Sequence, residues 1–356
     1  MTNFMRSCLR DFKEYQVAEI KEKFVINANE NPNNIMEDAV IREKAVEILL
    51  NTNFNRYPDP TAKELKKEIK NYLNCEEYSV IVGNGADEVI SYITRTYLEP
   101  GDVVVTHLPT FEIYGLDTRI MDGEVVQVPD KEGFVVDTKR IIEEANDKNA
   151  KLIFLCVPNN PTGYTIPKEE IKEVIEKTEG LILLDEAYVE FSEKDNLDLL
   201  KTGRVIVLRT LSKAFGFAGL RLGYGISTPE IISCIEKVRE PYNLNSFTQK
   251  MGVMVLQNRD RILAKNIKII ELRKELRDRL SAFSEVKIYD SQANFILVET
   301  KRQEELLKAL KERSILAKGY TGREELNNCI RLTVTTEELN DLIIEAFEEV
   351  QVKAYD

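Results

Sequence analysis

The chain has 356 residues, 43% of them hydrophobic and 31% charged, and carries a formal net charge of −12. That length and balance fit a soluble globular protein with one large and one smaller folding unit, and the acidic excess excludes a nucleic-acid-binding surface, which needs basic residues to neutralise phosphates. The five cysteines, Cys8, Cys75, Cys156, Cys234 and Cys329, form no C-x-x-C pair and are odd in number, which argues against a disulfide framework or a zinc site and for a reducing, cytoplasmic setting.

The first thirty residues mix Arg, Asp, Lys and Glu without an uninterrupted apolar core. They read as a polar arm, not as a signal peptide, and no later run reaches transmembrane length, so no membrane partner is expected. "ENPNN" at 30–34 is turn chemistry. From about residue 79 to 245, short β-branched runs alternate with helical patterns. "YSVIVG" leads to "ADEVISYITRTYL", "GDVVVTHL" to a loop, "AKLIFLCVP" to "PKEEIKEVIEKTE", "LILLDE" to a polar loop, and "VIVLRTL" to "SKAFGFAGLRLGYGI". Continuous apolar runs spaced by helices mark an α/β unit whose mostly parallel sheet is covered on both faces. In such sheets ligands collect at the carboxyl ends of the strands.

The remainder differs. A long charged amphipathic helix is expected over 255–281, followed by strand-like "EVKIY" and "ANFILVE", helical "QEELLKALKER" and strand-like "NNCIRLTV". These fit a smaller α+β unit joined by the N-terminal arm. The expected division is an arm over 1–32, a large unit over 33–248 and a small one over 249–356.

Several strand ends carry residues with chemistry. In "VGNGADE", two glycines precede a helix opening with Ala86 and Asp87; they serve either tight-turn packing or a phosphate held on backbone amides. Asn160 in "NNPTG" precedes a proline, which favours extended backbone and reads as a turn or as a side chain aimed into a cleft. Asp185, after four apolar residues, is either a helix cap or a buried carboxylate that needs a cationic partner. Lys213 and Arg221 lie among Ser, Gly and Ala. The single histidine, His107, is read as structural or peripheral, and its solitude excludes a Ser-His-Asp triad; acid-base work falls to Lys, Tyr, Asp or Glu. Joined, the parts suit a cofactor with an aldehyde, a phosphate and a pyridine ring. Lys213 offers the amine for a Schiff base, Ser212, Arg221 and the amides of the 85–87 loop the phosphate site, and Asp185 the partner of the ring nitrogen.

The motifs "NANENP" (27–32), "RYPD" (56–59), "GNGADE" (83–88), "PNNPTG" (158–163), "DEAY" (185–188), "TLSKAFGFAGLRLGY" (210–224) and "IRLTV" (330–334) run almost end to end. As a set the sequence resembles the fold-type I pyridoxal-phosphate aminotransferases, and within them the histidinol-phosphate aminotransferases. The resemblance implies that Lys213 links to pyridoxal 5′-phosphate and, once freed by substrate, moves a proton between Cα and C4′. It implies that Asp185 pairs with the ring nitrogen, that Asn160 and Tyr188 bond the phenolic oxygen, and that Phe111 stacks on the ring. Ser212, Arg221 and the amides of Ala86 and Asp87 would grip the phosphate, and Tyr57 would reach the cofactor phosphate of a neighbouring subunit, making a homodimer with shared sites.

For the substrate, the resemblance implies that Arg331 receives the carboxylate, that Tyr15 contacts the phosphate and that Asn29 is a further substrate-binding residue. Where the family has a second arginine for the substrate's phosphate, this chain reads "SILAKGY", which puts Lys318 there, with Arg323 as the alternative. The implied reaction moves an amino group from histidinol phosphate to 2-oxoglutarate. An aromatic aminotransferase and a lyase resembling threonine-phosphate decarboxylase are the competing readings. A pyridoxal-phosphate sensor of a transcription regulator is disfavoured, because about thirty residues ahead of the first motif leave no room for a DNA-binding module.

Overall fold

The computed structural model describes residues 4–10, 12 and 20–352. Among them thirteen strands appear in chain order: β1 (Phe24–Val25), β2 (Ser79–Asn84), β3 (Val103–Leu108), β4 (Glu124–Pro129), β5 (Leu152–Cys156), β6 (Leu181–Asp185), β7 (Val205–Thr210), β8 (Leu222–Ser227), β9 (Lys287–Ile288), β10 (Phe295–Glu299), β11 (Ile315–Leu316), β12 (Lys318–Gly319) and β13 (Cys329–Thr333). Seven of them form one sheet in the order β2-β8-β7-β6-β5-β3-β4. The pairs β3–β4, β3–β5, β5–β6 and β6–β7 are parallel, whereas β8 runs against both of its neighbours. The sheet is therefore mostly parallel, with one reversed strand.

Both faces of this sheet are covered, which is why its central strands are apolar at every position instead of at alternate ones. Ile153, Leu155, Ile182, Leu184, Val205 and Val207 point into one hydrophobic layer; Leu152, Phe154, Leu183, Ile206 and Leu208 point into the other. Helix Ala86–Tyr97 follows β2 directly and packs on β2, β8 and β7. Its start is seated by a glycine: a Cβ on Gly223 would stand 2.2 Å from the amide nitrogen of Ala86. No side chain fits there, so the helix N-terminus lies directly against β8.

A second, four-stranded antiparallel sheet has the order β12-β13-β10-β9, and β1 pairs in parallel with β11, Phe24 opposite Ile315. The expected single helix over 255–281 is instead three: Ser246–Gln257, Arg259–Leu263 and Asn266–Leu280. The first begins earlier than expected because Asn245 caps it, accepting from the amide of Thr248 at 2.8 Å. It stops at Asn258, whose side-chain amide donates to the carbonyl of Met254 at 2.6 Å and closes the last turn. The loop expected after "GDVVVTHL" is a short turn into helix Ile113–Ile120.

Candidate active site

The parallel strands deliver their carboxyl ends to one edge of the large sheet. β6 ends on Asp185; β7 ends on Thr210 just before Ser212 and Lys213; β5 ends on Cys156 ahead of Asn160; β3 ends on Leu108 ahead of Phe111; β2 ends on Asn84 ahead of Ala86. Because β8 is antiparallel, its first residue, directly after Arg221, starts at this same edge.

Asp185 is buried, with 4% of its surface exposed. Its Oδ2 accepts a hydrogen bond from the hydroxyl of Tyr114 at 2.5 Å and its Oδ1 accepts one from the backbone amide of Ala187 at 3.0 Å. The cationic partner expected from the sequence is not what it bonds: both donors are neutral. Burial accordingly pushes its carboxyl up to about 6, against the pull of those two hydrogen bonds, with Asp87 and Glu186 adding to the rise. The Ala187 bond makes Asp185 a local turn-former but not the expected helix cap: the 3-10 turn Val189–Phe191 that follows starts after Tyr188 without a side-chain cap.

This burial carries a pH consequence. The folded-state carboxyl titrates near 6, above the ordinary aspartate value of about 4, so the folded protein holds the proton across that window and loses stability as the pH rises through it. Asp185→Asn in the cofactor-free chain is expected to gain about 2 kcal/mol relative to the wild type between pH 4.5 and pH 7. Urea midpoints at the two pH values read it, and a difference that does not change with pH contradicts it.

Lys213 Nζ donates to the carbonyl of Ala28 at 2.7 Å and lies 5.7 Å from the centre of the Tyr188 ring. Burial lowers its amine to about 8; the nearby Arg331 cation adds to this, with Glu30 and Asp87 opposing. Asn31 holds the turn behind it, donating to the carbonyls of Lys213 at 3.2 Å and Ala214 at 3.1 Å. The hydroxyl of Tyr188 accepts from Asn29 Nδ2 at 3.0 Å, and its ring meets Phe295 edge-on at 5.2 Å.

Asn29 has a left-handed backbone, φ 55°, and 1% exposure. Its Oδ1 accepts from Thr333 Oγ1 at 3.2 Å and its carbonyl from Asn294 Nδ2 at 3.0 Å, tying the N-terminal segment to β13 and the turn before β10. Arg331 donates to the carbonyl of Asn27 at 2.6 Å and to Oδ1 of Asn160, and lies over the Phe295 ring at 5.4 Å. Its Nε is buried without a hydrogen-bond partner. Asn29, Asn160, Tyr188, Lys213 and Arg331 thus form one connected cluster spanning both sheets.

At the start of helix Ala86–Tyr97 no side chain caps the amides. Arg221, with φ 51°, donates to Asp87 Oδ2 at 3.1 Å. Its guanidinium occupies the space where Gly85 would carry a Cβ, 2.4 Å away, and Gly85 itself has φ 93°. Only glycine admits both. Ser212 is buried and accepts from Thr210 Oγ1 at 2.9 Å. Phe111 meets Tyr114 edge-on at 5.6 Å.

Other expected residues stand elsewhere. Tyr57 is 81% exposed and stacks on Tyr242 at 4.7 Å. Lys318 is exposed, but it lies directly opposite Arg331 in the β12–β13 register, so the two share a sheet face. Arg323 is engaged in ion pairs with Glu112 and Glu325. Tyr15 lies outside the described residues. His107 is buried, its Nδ1 at 3.0 Å from Asp130 Oδ1, inside β3 and not among the clustered groups. Sequence reasoning missed Tyr114, Asn31, Asn294 and Thr333. For Tyr114 the available signal was its spacing, three residues after Phe111.

The model of the family "Aminotransferase class I and II" matches residues 20–347. The chain belongs to the class I and II aminotransferases. This aminotransferase is 36% identical over 350 residues, 98% of its length and 99% of the relative's, to a histidinol-phosphate aminotransferase of Caldanaerobacter subterraneus subsp. tengcongensis. Among solved structures, it resembles the histidinol-phosphate aminotransferase of Clostridium acetobutylicum with a TM-score of 0.85 at 24% identity, covering 93% of this chain and 99% of that one. The Sinorhizobium meliloti histidinol-phosphate aminotransferase, solved in complex with pyridoxal-5′-phosphate, superimposes with a TM-score of 0.83 at 25% identity, covering 94% and 92%. The fold of the aminotransferase is therefore the fold-type I architecture of these neighbours.

Proposed function

We propose that this aminotransferase uses pyridoxal 5′-phosphate to move the amino group of histidinol phosphate to 2-oxoglutarate, giving imidazole-acetol phosphate and glutamate for histidine biosynthesis. The observation that carries the reading is that a buried carboxylate, Asp185, and a low-pKa amine, Lys213, leave the same edge of the large sheet, while Arg331 of the second sheet reaches Asn160 at that edge. The residues fit the cofactor. Asp185 is buried with neutral partners only, which a protonated ring nitrogen would complement. The uncapped helix start beside Arg221 and Ser212 offers amides and a cation to a phosphate dianion.

When bound, pyridoxal phosphate supplies an electron-withdrawing ring that takes up the electron pair left at substrate Cα. Lys213 Nζ, partly uncharged near neutrality, would take the proton from that carbon and deliver it to C4′. Tyr188 and Asn160 would hold the phenolic oxygen, and Phe111 would cover one ring face. Arg331 receives the carboxylate of 2-oxoglutarate with two N–H groups, and Asn29 fixes the segment beside it. Lys318, sharing a face with Arg331, serves the substrate's phosphate, with Tyr15 on the N-terminal arm as a further contact.

The same proposal includes a cytoplasmic homodimer. Leu49, Leu50, Phe54, Tyr57 and Tyr242 form an exposed apolar and aromatic surface on and after helix Ala39–Leu50, of a kind that a partner subunit covers. Tyr57 from that surface would then complete the partner's phosphate site. The division into an arm (1–32), a large unit (33–248) and a small unit (249–356) also belongs to the proposal. Helix Ser246–Gln257 would be the connector.

Histidinol phosphate, phenylalanine and threonine phosphate, each supplied with 2-oxoglutarate, separate the possibilities. Glutamate from histidinol phosphate at a kcat/KM at least about 10²-fold above phenylalanine is expected, since phenylalanine lacks the phosphate and forfeits its charge-assisted hydrogen bonds. Carbon dioxide from threonine phosphate would contradict the transamination reading.

A further inference from the structure

Asp185 would have to meet the ring nitrogen as an anion, yet burial works against that charge. Its two oxygens are each held by one donor, and the two donors differ in kind. The Ala187 amide lies two residues along the chain and comes with the turn itself. The Tyr114 hydroxyl comes from helix Ile113–Ile120, 71 residues earlier, and reaches Oδ2 at 2.5 Å. Tyr114 is wholly buried. Its ring is fixed edge-on against Phe111 at 5.6 Å and tilted against Phe154 of β5 at 5.1 Å. So clamped, its hydroxyl is held at the Asp185 carboxylate, with the Cys156 thiol as its other polar neighbour.

We propose that Tyr114 is a positioning residue for the cofactor's ring nitrogen, holding the Asp185 carboxylate in one rotation and favouring its ionised form through a charge-assisted hydrogen bond. This rests on the reading that pyridoxal phosphate binds at Lys213. A hydrogen bond to an ionised acceptor is about twice as strong as a neutral one, so the hydroxyl stabilises the anion more than the acid. Around the carboxylate, Asp87 and Glu186 oppose ionisation, while Cys156, opposite Asp185 in the β5–β6 register, and Tyr188 are neutral neighbours whose own protons burial retains. Tyr114 is the side-chain donor that works in the other direction. Phe111, expected on the ring face, touches the same tyrosine, so one helix entry sets both the face and the nitrogen end of the ring site.

Tyr114→Phe keeps the packing on Phe111 and Phe154 and removes only the hydroxyl. The test measures the dissociation constants of pyridoxal phosphate and of its analogue with carbon in place of the ring nitrogen, for the wild type and the variant. The expected result is about tenfold weaker binding of pyridoxal phosphate to the variant, from the lost charged hydrogen bond, with binding of the analogue unchanged within about twofold. Rotation of the carboxylate away from the nitrogen should also shift the pH at which the bound cofactor's visible band changes. Equal weakening of both ligands would show a packing role and overturn the proposal, as would no weakening of either. A wild-type chain that does not bind pyridoxal phosphate overturns the underlying reading as well, so the two failures are told apart.

Discussion

Replacing Lys213 with alanine is expected to lower amino transfer from histidinol phosphate by about 10⁴-fold, the upper range for a positioned acid-base group, while changing folding stability by no more than about 1 kcal/mol. Both halves follow from the same surroundings. Burial and the Arg331 cation bring the amine to about 8, so a lysine that would be fully charged on the surface offers an uncharged fraction near neutrality. The same surroundings make the charged amine expensive to keep, so its removal costs the fold little beyond the 2.7 Å hydrogen bond to Ala28. The sign for pH is fixed: a lowered amine pKa means that the uncharged form grows as pH rises through about 8. Wild-type activity should therefore climb over that window. Lys213→Arg, which stays charged, should be as inactive as the alanine variant. Single-turnover formation of glutamate, alongside urea unfolding of each variant, measures both halves.

The second large effect belongs to Arg331. Arg331→Gln is expected to reduce kcat/KM for 2-oxoglutarate, the substrate that carries carboxylates, by about 10²- to 10³-fold, since truncating one partner of a buried, hydrogen-bonded charge pair costs about 2–5 kcal/mol. Its present acceptors, the carbonyl of Asn27 and the side-chain oxygen of Asn160, are neutral, and its Nε is without a partner. A carboxylate offers this guanidinium more than either acceptor does. Because Arg331 is also the second cause of the low amine pKa of Lys213, the variant's activity profile should move to higher pH. Arg331→Lys keeps a charge but not the planar fork, so it should restore the pH profile while recovering the KM for 2-oxoglutarate only in part. A steady-state pH series for the three proteins separates binding from the electrostatic influence.

The fold was legible where burial is two-sided. β5, β6 and β7 read directly from "LIFLC", "LILLD" and "VIVLRT" because covered faces demand apolar residues without interruption. β8 was not legible, since Gly223 and Gly225 empty its pattern; the Gly223 position is explained only by the Ala86 amide that sits against it. The stretch from 113 to 147 was also opaque. Helix Ile113–Ile120 starts without a side-chain cap and contains Gly115, and β4 is partly exposed. The helix expected over 255–281 failed because its charge pattern continues smoothly across Asn258, where a side-chain bond to the preceding turn ends it.

Within the site, Asp185 and Lys213 stood out because each polar group follows an apolar run, so the strand's exit marks it. The residues that hold them did not stand out. Tyr114 in an apolar helix reads as core, and its polar task is visible only once helix and β6 are side by side. Asn29 and Asn294 are 265 positions apart, and Asn29 and Thr333 are 304 apart. No local pattern links such residues. The cation expected beside Asp185 was an inference that missed: the chain supplies a hydroxyl and an amide instead.

One measurement reaches the centre of this account. The wild-type chain, loaded with pyridoxal phosphate, is reduced with sodium borohydride, digested and mapped by mass. The account predicts the pyridoxyl mass on the peptide that contains Lys213, stoichiometric and absent from the Lys213→Ala protein. Label on another lysine, or none at all, would contradict it.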